Sequence, residues 1–311
     1  MLALTSLCDI ARCVKRYACI FAATTFASKL RTNRQIYSFC AVSLALLFSY
    51  GAQSKTTKEQ KERFKFLVED VTSNFSDVAA SHGARIEIVY HWDSSGAGAF
   101  TFQKRGGTLW EIWVYDGIMN LDYVTEDVIQ LVICHELGHH LSGYPVKNIA
   151  RWSAAEGQAD FFATHACAPV IWKDHAARNA SFRNLVPEKF KLECARQFPE
   201  QKRRDICFRS VVAMESMMAY ESGGKNHKLS LDTPDRNRVE TTYLKHPEDQ
   251  CRIDSGLRGI LCNKTVDLTF IPGRFGQNSA EDERSSNPYY CNRADGDRFA
   301  RPRCWFAPMT P

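Results

Sequence analysis

The chain lacks any run of about 20 apolar residues after its leader, the length a membrane-spanning helix needs. Beyond residue 52 it also lacks net charge. The sequence holds 40 basic and 35 acidic residues, and six of the basic ones (Arg12, Lys15, Arg16, Lys29, Arg31, Arg34) fall in residues 1–52 beside one acid, Asp9. That leaves 34 of each sign, so the formal +5 lies wholly in the leader. A neutral body argues against a broad nucleic-acid footprint, and no nucleic-acid partner is expected. None of the twelve cysteines forms a C-x-x-C pair, which removes a zinc ribbon from consideration. There is no internal repeat. With 44% apolar and 24% charged residues, the composition is that of a globular protein and excludes disorder, collagen and coiled coil. Its 311 residues suffice for one large domain or two small ones.

The leader is what is unusual. Residues 36–48, IYSFCAVSLALLF, make an apolar run of 13, with Arg31 and Arg34 before it and Ser49-Tyr50-Gly51 after it. Charge, apolar core and small residues in that order describe a secretory signal. An uncleaved amino-terminal anchor is the alternative, and is the one expected route to a membrane. Tyr37-Ser38-Phe39 before Cys40 are not a lipobox. Residues 1–28 are out of place ahead of a signal, and no Met stands between Met1 and Met119, which suits a true start near Leu30. The expected location is secreted or periplasmic. Cysteine usage agrees: removing Cys8, Cys13, Cys19 and Cys40 leaves eight, an even number. Spacing suggests local pairs, Cys194 with Cys207, Cys251 with Cys262 and Cys291 with Cys304, with Cys134 and Cys167 left over.

Beyond the leader the pattern is mixed. Residues 55–74 read as an amphipathic helix. Residues 84–92, 99–103 and 109–115 alternate and read as strands, with Arg105-Gly106-Gly107 as a turn. Thr125 is a suitable N-cap, with Glu126 and Asp127 in the first turn facing the helix dipole. The helix it opens runs to Gly143 and Pro145, with Val128, Leu131, Val132, His135 and His139 along one face. Residues 152–167 read as a further helix and 187–222 as a helical hairpin. From about residue 245 the chain turns loop-rich, carries four of the eight cysteines, and includes the low-complexity stretch 277–287. This divides the chain into a leader (1–52), a core (53–244) and a disulfide-stapled carboxy-terminal region (245–311) packing on that core.

His135-Glu136-Leu137-Gly138-His139 is an H-E-x-x-H sequence. On a helix, positions i and i+4 share a face about 5–6 Å apart at Cβ, so two imidazoles can reach one metal. Glu136 is rotated about 100° from His135, which sets it beside the metal rather than on it, placed to take a proton from water. Glu156-Gly157-Gln158-Ala159-Asp160 follows on a second helix. Glu156 is the expected third ligand. Asp160, one turn later, suits the outer N–H of a ligand histidine. Three protein ligands that leave a position open are the catalytic zinc pattern, and Zn2+ is the expected metal. His82, His91, His140, His165, His175 and His227 lack partners at ligand spacing and are read as surface or packing residues. Cys134 is read as buried or disulfide-bonded.

These residues resemble a family: the gluzincin metallopeptidases of the HtpX and CAAX-prenyl-endopeptidase type. Val114-Tyr115-Asp116-Gly117-Ile118 is similar to that family's edge strand and the turn after it. His135–His139 and Glu156–Asp160 are similar to its H-E-x-x-H and E-x-x-A-D, and His246-Pro247 with Arg252-Ile253 to its later H-P-x-x-x-x-R-I. The resemblance implies an α+β fold with a zincin-like core, mainly helical with a small sheet. It implies a zinc-dependent endopeptidase with ligands His135, His139 and Glu156, Glu136 as base, and His246 and Arg252 near the reacting carbonyl. The substrate is expected to be a peptide or protein held along the edge strand Leu109–Tyr115. Many members span membranes repeatedly and this chain does not, so it reads as a soluble, exported relative. The rival readings are a non-catalytic zincin-fold envelope chaperone or binding module, and a cell-wall amidase.

Overall fold

The computed structural model describes residues 55–225, 229–273, 276–292 and 298–309. The leader and His227 lie outside the described residues. Residues 54–311 form one compact unit. It is an α+β fold, about half helical with one three-stranded sheet. Among the described residues, no helix is long and apolar enough to cross a membrane.

Helix α1 (Lys58–Ser73) begins with a capping box between Thr57 and Gln60 and buries Phe64, Leu67, Val68 and Val71 on one face, as its spacing requires. Short α2 (Ser76–Ser81) leads to the sheet of β1 (Arg85–His91), β2 (Ala97–Lys104) and β3 (Leu109–Asp116). The turn Arg105–Gly107 has positive φ throughout and closes an antiparallel β2–β3 hairpin. Strand β1 pairs in parallel with the other side of β3, so the order is β1-β3-β2. Leu109–Tyr115 is therefore central, not the edge strand its sequence suggested. Its second neighbour comes from earlier in the chain, and alternation along one strand does not report how many partners it has. The exposed edges are β1 and β2.

Helix α3 (Glu126–Leu141) carries the H-E-x-x-H residues. Thr125 caps it by accepting from the amide of Val128. The expected single apolar face does not hold. Ile129, Ile133, Cys134 and Leu137 are as buried as Val128 and Leu131, because α3 runs through the core instead of lying on it. Its first turn is tied down by Asp127, which accepts two hydrogen bonds from the fully buried Arg209, at 2.7 and 3.1 Å. Arg209 lies on α8 (Gln201–Glu221) and stacks 4.0 Å from the Trp172 ring.

Between α3 and α8 come α4 (Glu156–Phe162), a π-helical turn at Ala163–Cys167, α5 (Ala168–Ile171), α6 (Ala176–Ser181) and α7 (Glu188–Gln197). The tail is less loop-rich than its composition suggests. It contains α9 (Asp249–Leu261), packed against α4, and α10 (Ala280–Ser286), opened by a capping box between Ser279 and Asp282 inside the low-complexity stretch.

Four disulfides join Cys134–Cys167, Cys194–Cys207, Cys251–Cys304 and Cys262–Cys291. Cys194–Cys207 follows the local expectation. Cys251–Cys262 and Cys291–Cys304 do not form. Cys251 lies on α9 and Cys262 caps its end. At 1.5 Å per residue the helix holds them roughly 16 Å apart, far beyond the 7 Å a bridge tolerates. Each instead reaches across to the tail, with Cα–Cα distances of 5.9 and 5.8 Å. Mass mapping of non-reduced digests should recover Cys251–Cys304 and Cys262–Cys291, and a Cys251–Cys262 peptide would contradict the fold. Loops of 53 and 29 residues correspond to roughly 3.5–4 kcal/mol of stabilisation each. The Cys251→Ala/Cys304→Ala variant should therefore unfold at clearly lower denaturant.

Candidate active site

Two close approaches position α4, one against α3 and one against the tail. Gly138, inside H-E-x-x-H, faces the backbone of α4: a Cβ there would stand 3.0 Å from Ala159 Cα. Gly157, beside Glu156, faces Trp305, whose ring would meet a Cβ at 2.4 Å. Cys134–Cys167 fastens the helices from behind. The segment between them returns by an isolated bridge, Val146 to Ala154, and the Ala154 amide donates to the His139 carbonyl at 2.9 Å.

His135, His139 and Glu156 converge as expected. Their ligating atoms lie within 4.8 Å of one another. Glu156 Oε2 is 3.1 Å from His135 Nε2 and 3.5 Å from His139 Nε2. Ligands about 2.0–2.2 Å from a tetrahedral zinc stand roughly 3.4 Å apart, so the donor set fits that ion. The outer nitrogens are already engaged. His135 Nδ1 lies 2.8 Å from Asp160 Oδ1, and His139 Nδ1 donates to the Ala154 carbonyl at 2.8 Å. A protonated Nδ1 leaves Nε2 free to bind a metal. Lys147 grips the other oxygen of Glu156 at 2.6 Å, a partner no motif announces.

Asp160 has a second duty. Arg252 clasps both of its oxygens, at 2.8 and 3.0 Å, and reaches Glu221 Oε2 with its third nitrogen at 2.6 Å. The row Glu221–Arg252–Asp160–His135 thus crosses α8, α9, α4 and α3. Arg252 reaches the ligands through Asp160, and it also lines the cavity beside them. His246, exposed on the connection before α9, points Nε2 at Glu156 Oε2 from 3.2 Å. Glu221 was not expected from the sequence, since no spacing relates it to the motif.

Charge in the site is set by burial against these pairings. Burial alone would lower the pKa of His135, but Asp160 and Glu156 outweigh it and hold the metal-free imidazolium up to about 10. Burial would raise Asp160, but Arg252 and His135 bring it down to about 2. Burial likewise opposes ionisation of Glu156, and its hydrogen bonds to His135 and His139 win, leaving it well below the usual carboxylate range. Glu136 has no such partner. Burial raises its pKa against the opposing charge of the two histidines. Glu221 is pushed up to about 6 by burial, with Arg252 resisting. The site is therefore built around positive charge, which an imidazolium supplies when no metal is bound. Beside it opens a cavity of about 330 Å³, lined by His135, Glu136 and Arg252 and, on its apolar side, by Leu131, Met214 and Met217.

The remaining described histidines pack as read. His140 stacks between Trp110 and Trp152, and His82 and His165 contact the backbone carbonyls of Leu268 and Tyr289. Cys134 is buried and bridged, not a ligand.

Two measurements test the ligand set. Zinc per chain should fall sharply in His139→Ala, and Asp160→Asn should weaken binding by about 10–100-fold through loss of the histidine's orienting partner. Metal capture at pH 8 must also displace the His135 proton, whose pKa stands near 10 in the metal-free protein. Calorimetry in buffers of different ionisation enthalpy should then report at least one proton released per zinc, and none released would exclude His135.

Residues 58–192 match the family model of peptidase family M48. No curated protein and no solved structure matches the chain. The matched segment contains α3, α4 and the three converging ligand side chains. The family is one of metal-dependent hydrolases acting on peptides and proteins, and with this His-His-Glu cluster at its centre the matched segment, residues 58–192, is that of an M48 zinc metallopeptidase.

Proposed function

We propose that the chain is an exported zinc endopeptidase in which Glu136 is the general base. The observation that carries this is a carboxylate standing beside, and not in, the His135–His139–Glu156 cluster, its pKa raised by burial. His135, His139 and Glu156 would hold the ion. When bound, zinc supplies a Lewis acid that brings the pKa of water to about 7 and polarises a carbonyl. Glu136 takes the water proton and delivers it to the leaving amide nitrogen. His246 Nε2, aimed into the cluster, donates to the oxygen on which charge builds. Arg252 is a positioning residue: it fixes Asp160, and through it the ring of His135. The substrate lies extended along the free edge of β2, whose residues 97–100 line the same cavity as His135 and Glu136. Export is supported by the leader's charge and apolar pattern and by four disulfides, which persist in oxidising compartments.

Glu136→Gln should keep its zinc and its melting temperature while casein cleavage falls by at least 10²-fold. Near-normal turnover would remove Glu136 as the base. His246→Ala should lower turnover by about 10²–10³-fold with zinc content and melting temperature hardly changed. A rise in turnover would show instead that His246 obstructs the site, and a parallel loss of zinc would make it a structural residue.

A further inference from the structure

The outer face of the sheet is aromatic and uncovered at one side. Directly opposed residues of paired strands share a face, so the register puts Phe100 beside Trp113, Gly98 beside Tyr115, and Phe102 beside Glu111. The parallel pairing adds His91 next to Tyr115 and Val89 next to Trp113. The rings are mutually packed. Phe102 lies 5.1 Å from Trp113, Phe100 meets Tyr115 edge-on at 5.9 Å, and His91 stacks on Tyr115 at 4.5 Å. Trp113 Nε1 donates to Glu111 at 2.5 Å, and Lys104 pairs with the same carboxylate while lying over the Phe102 and Trp113 rings. Nothing in this arrangement hides the two phenylalanines: Phe100 is 59% exposed and Phe102 39%. Side chains of this size, exposed together on a rigid face, mark a binding surface.

Its position identifies the occupant. Both phenylalanines belong to β2, which pairs with β3 alone among the described strands, so its other edge is free. Phe100 and Tyr115 line the cavity that also holds His135 and Glu136. The aromatic face is thus continuous with the catalytic cleft, and the free edge runs between them. A chain that pairs with this edge sends alternate side chains to the two faces of the sheet. Those on the outer face come to rest next to Phe100 and Phe102, at the cross-strand distance of about 4.5–5.5 Å between Cβ atoms.

From this we infer that β2 selects extended substrate segments carrying apolar or aromatic side chains at two alternate positions, read by Phe100 and Phe102. The inference rests on reading the cleft as a peptidase site, and it adds the pattern that the substrate must present. Trp113 and Tyr115 back the two reading residues and keep them from folding down onto the sheet. Tyr220, whose hydroxyl donates to the Ala97 carbonyl at 2.9 Å, closes the end of the edge before Gly98 and so limits where pairing begins.

The test uses the full chain as Glu136→Gln, so that binding is read without cleavage. Two short fluorescein-labelled peptides of identical composition are compared, one with phenylalanines at alternate positions and its isomer with them adjacent. The adjacent isomer can set only one of its phenylalanines on the outer face and so forfeits one aromatic cross-strand pair, which predicts about two- to fivefold tighter binding of the alternate isomer. Adding Phe102→Ser should bring the ratio close to one while the melting temperature is unchanged. Equal binding of the isomers, no binding of either, or a preference that survives Phe102→Ser overturns the inference. Casein cleavage by the wild-type protein is measured separately, so failure of the catalytic reading and failure of the selection are told apart.

Discussion

Everything at the site depends on how closely α3 and α4 approach. Two histidines on one helix and a glutamate on another meet at one point only if the backbones are near enough for short side chains to span the gap. Gly138 permits the contact because it has no Cβ to set against Ala159, and Cys134–Cys167 prevents the helices from drifting apart. The same demand explains why α3 is buried all round. A helix that must present ligands inward and be held from behind cannot lie on the surface, so its sequence loses the polar face an amphipathic helix would show.

Burying so much charge needs compensation, and the fold supplies it as a row rather than as isolated pairs. Glu221, Arg252, Asp160 and His135 alternate in sign across four helices. Lys147 does the same for Glu156 from the loop between the ligand helices. Breaking a buried pair leaves an uncompensated charge that costs about 3–5 kcal/mol, so each member holds its neighbours in place. Glu136 is left out of this row, and a carboxyl that burial pushes upward is suited to move a proton.

The sequence exposed the parts of this design that are local. Helix spacing brought His135 to His139, and the E-x-x-x-D interval put Glu156 and Asp160 on one face of the next helix. The three strands, the turn at Arg105–Gly107 and the cap at Thr125 were legible for the same reason. What escaped is non-local. Strand order depends on β1 returning to β3 in parallel, which no alternation pattern encodes, so the sequence marks β2 and β3 alike as strands without telling which of them is the edge. Disulfide partners were guessed from sequence distance, and the guess failed where a helix separated near neighbours at Cys251 and Cys262. The capping box at Ser279 and Asp282 was a readable signal for α10, hidden by the polar composition around it.

The tail shows why the site cannot be equated with the segment that matches the family model. That match ends at residue 192, yet Arg252 completes the clasp on Asp160 and His246 comes within 3.2 Å of Glu156. Both lie on or just before α9, which packs against α4, the helix of the third ligand. Cys251, immediately before Arg252, is bonded to Cys304, and Trp305 next to it fills the space kept clear by Gly157. A ring of contacts therefore runs from the ligand helix through Gly157 and Trp305 to Cys304, then by the disulfide to Cys251 and Arg252, and back to Asp160. The carboxy-terminal residues complete the wall of the active site, and the disulfide ties that wall covalently to the tail. A chain cut at residue 192 would retain all three ligand side chains but would lose the guanidinium that sets the orientation of the first.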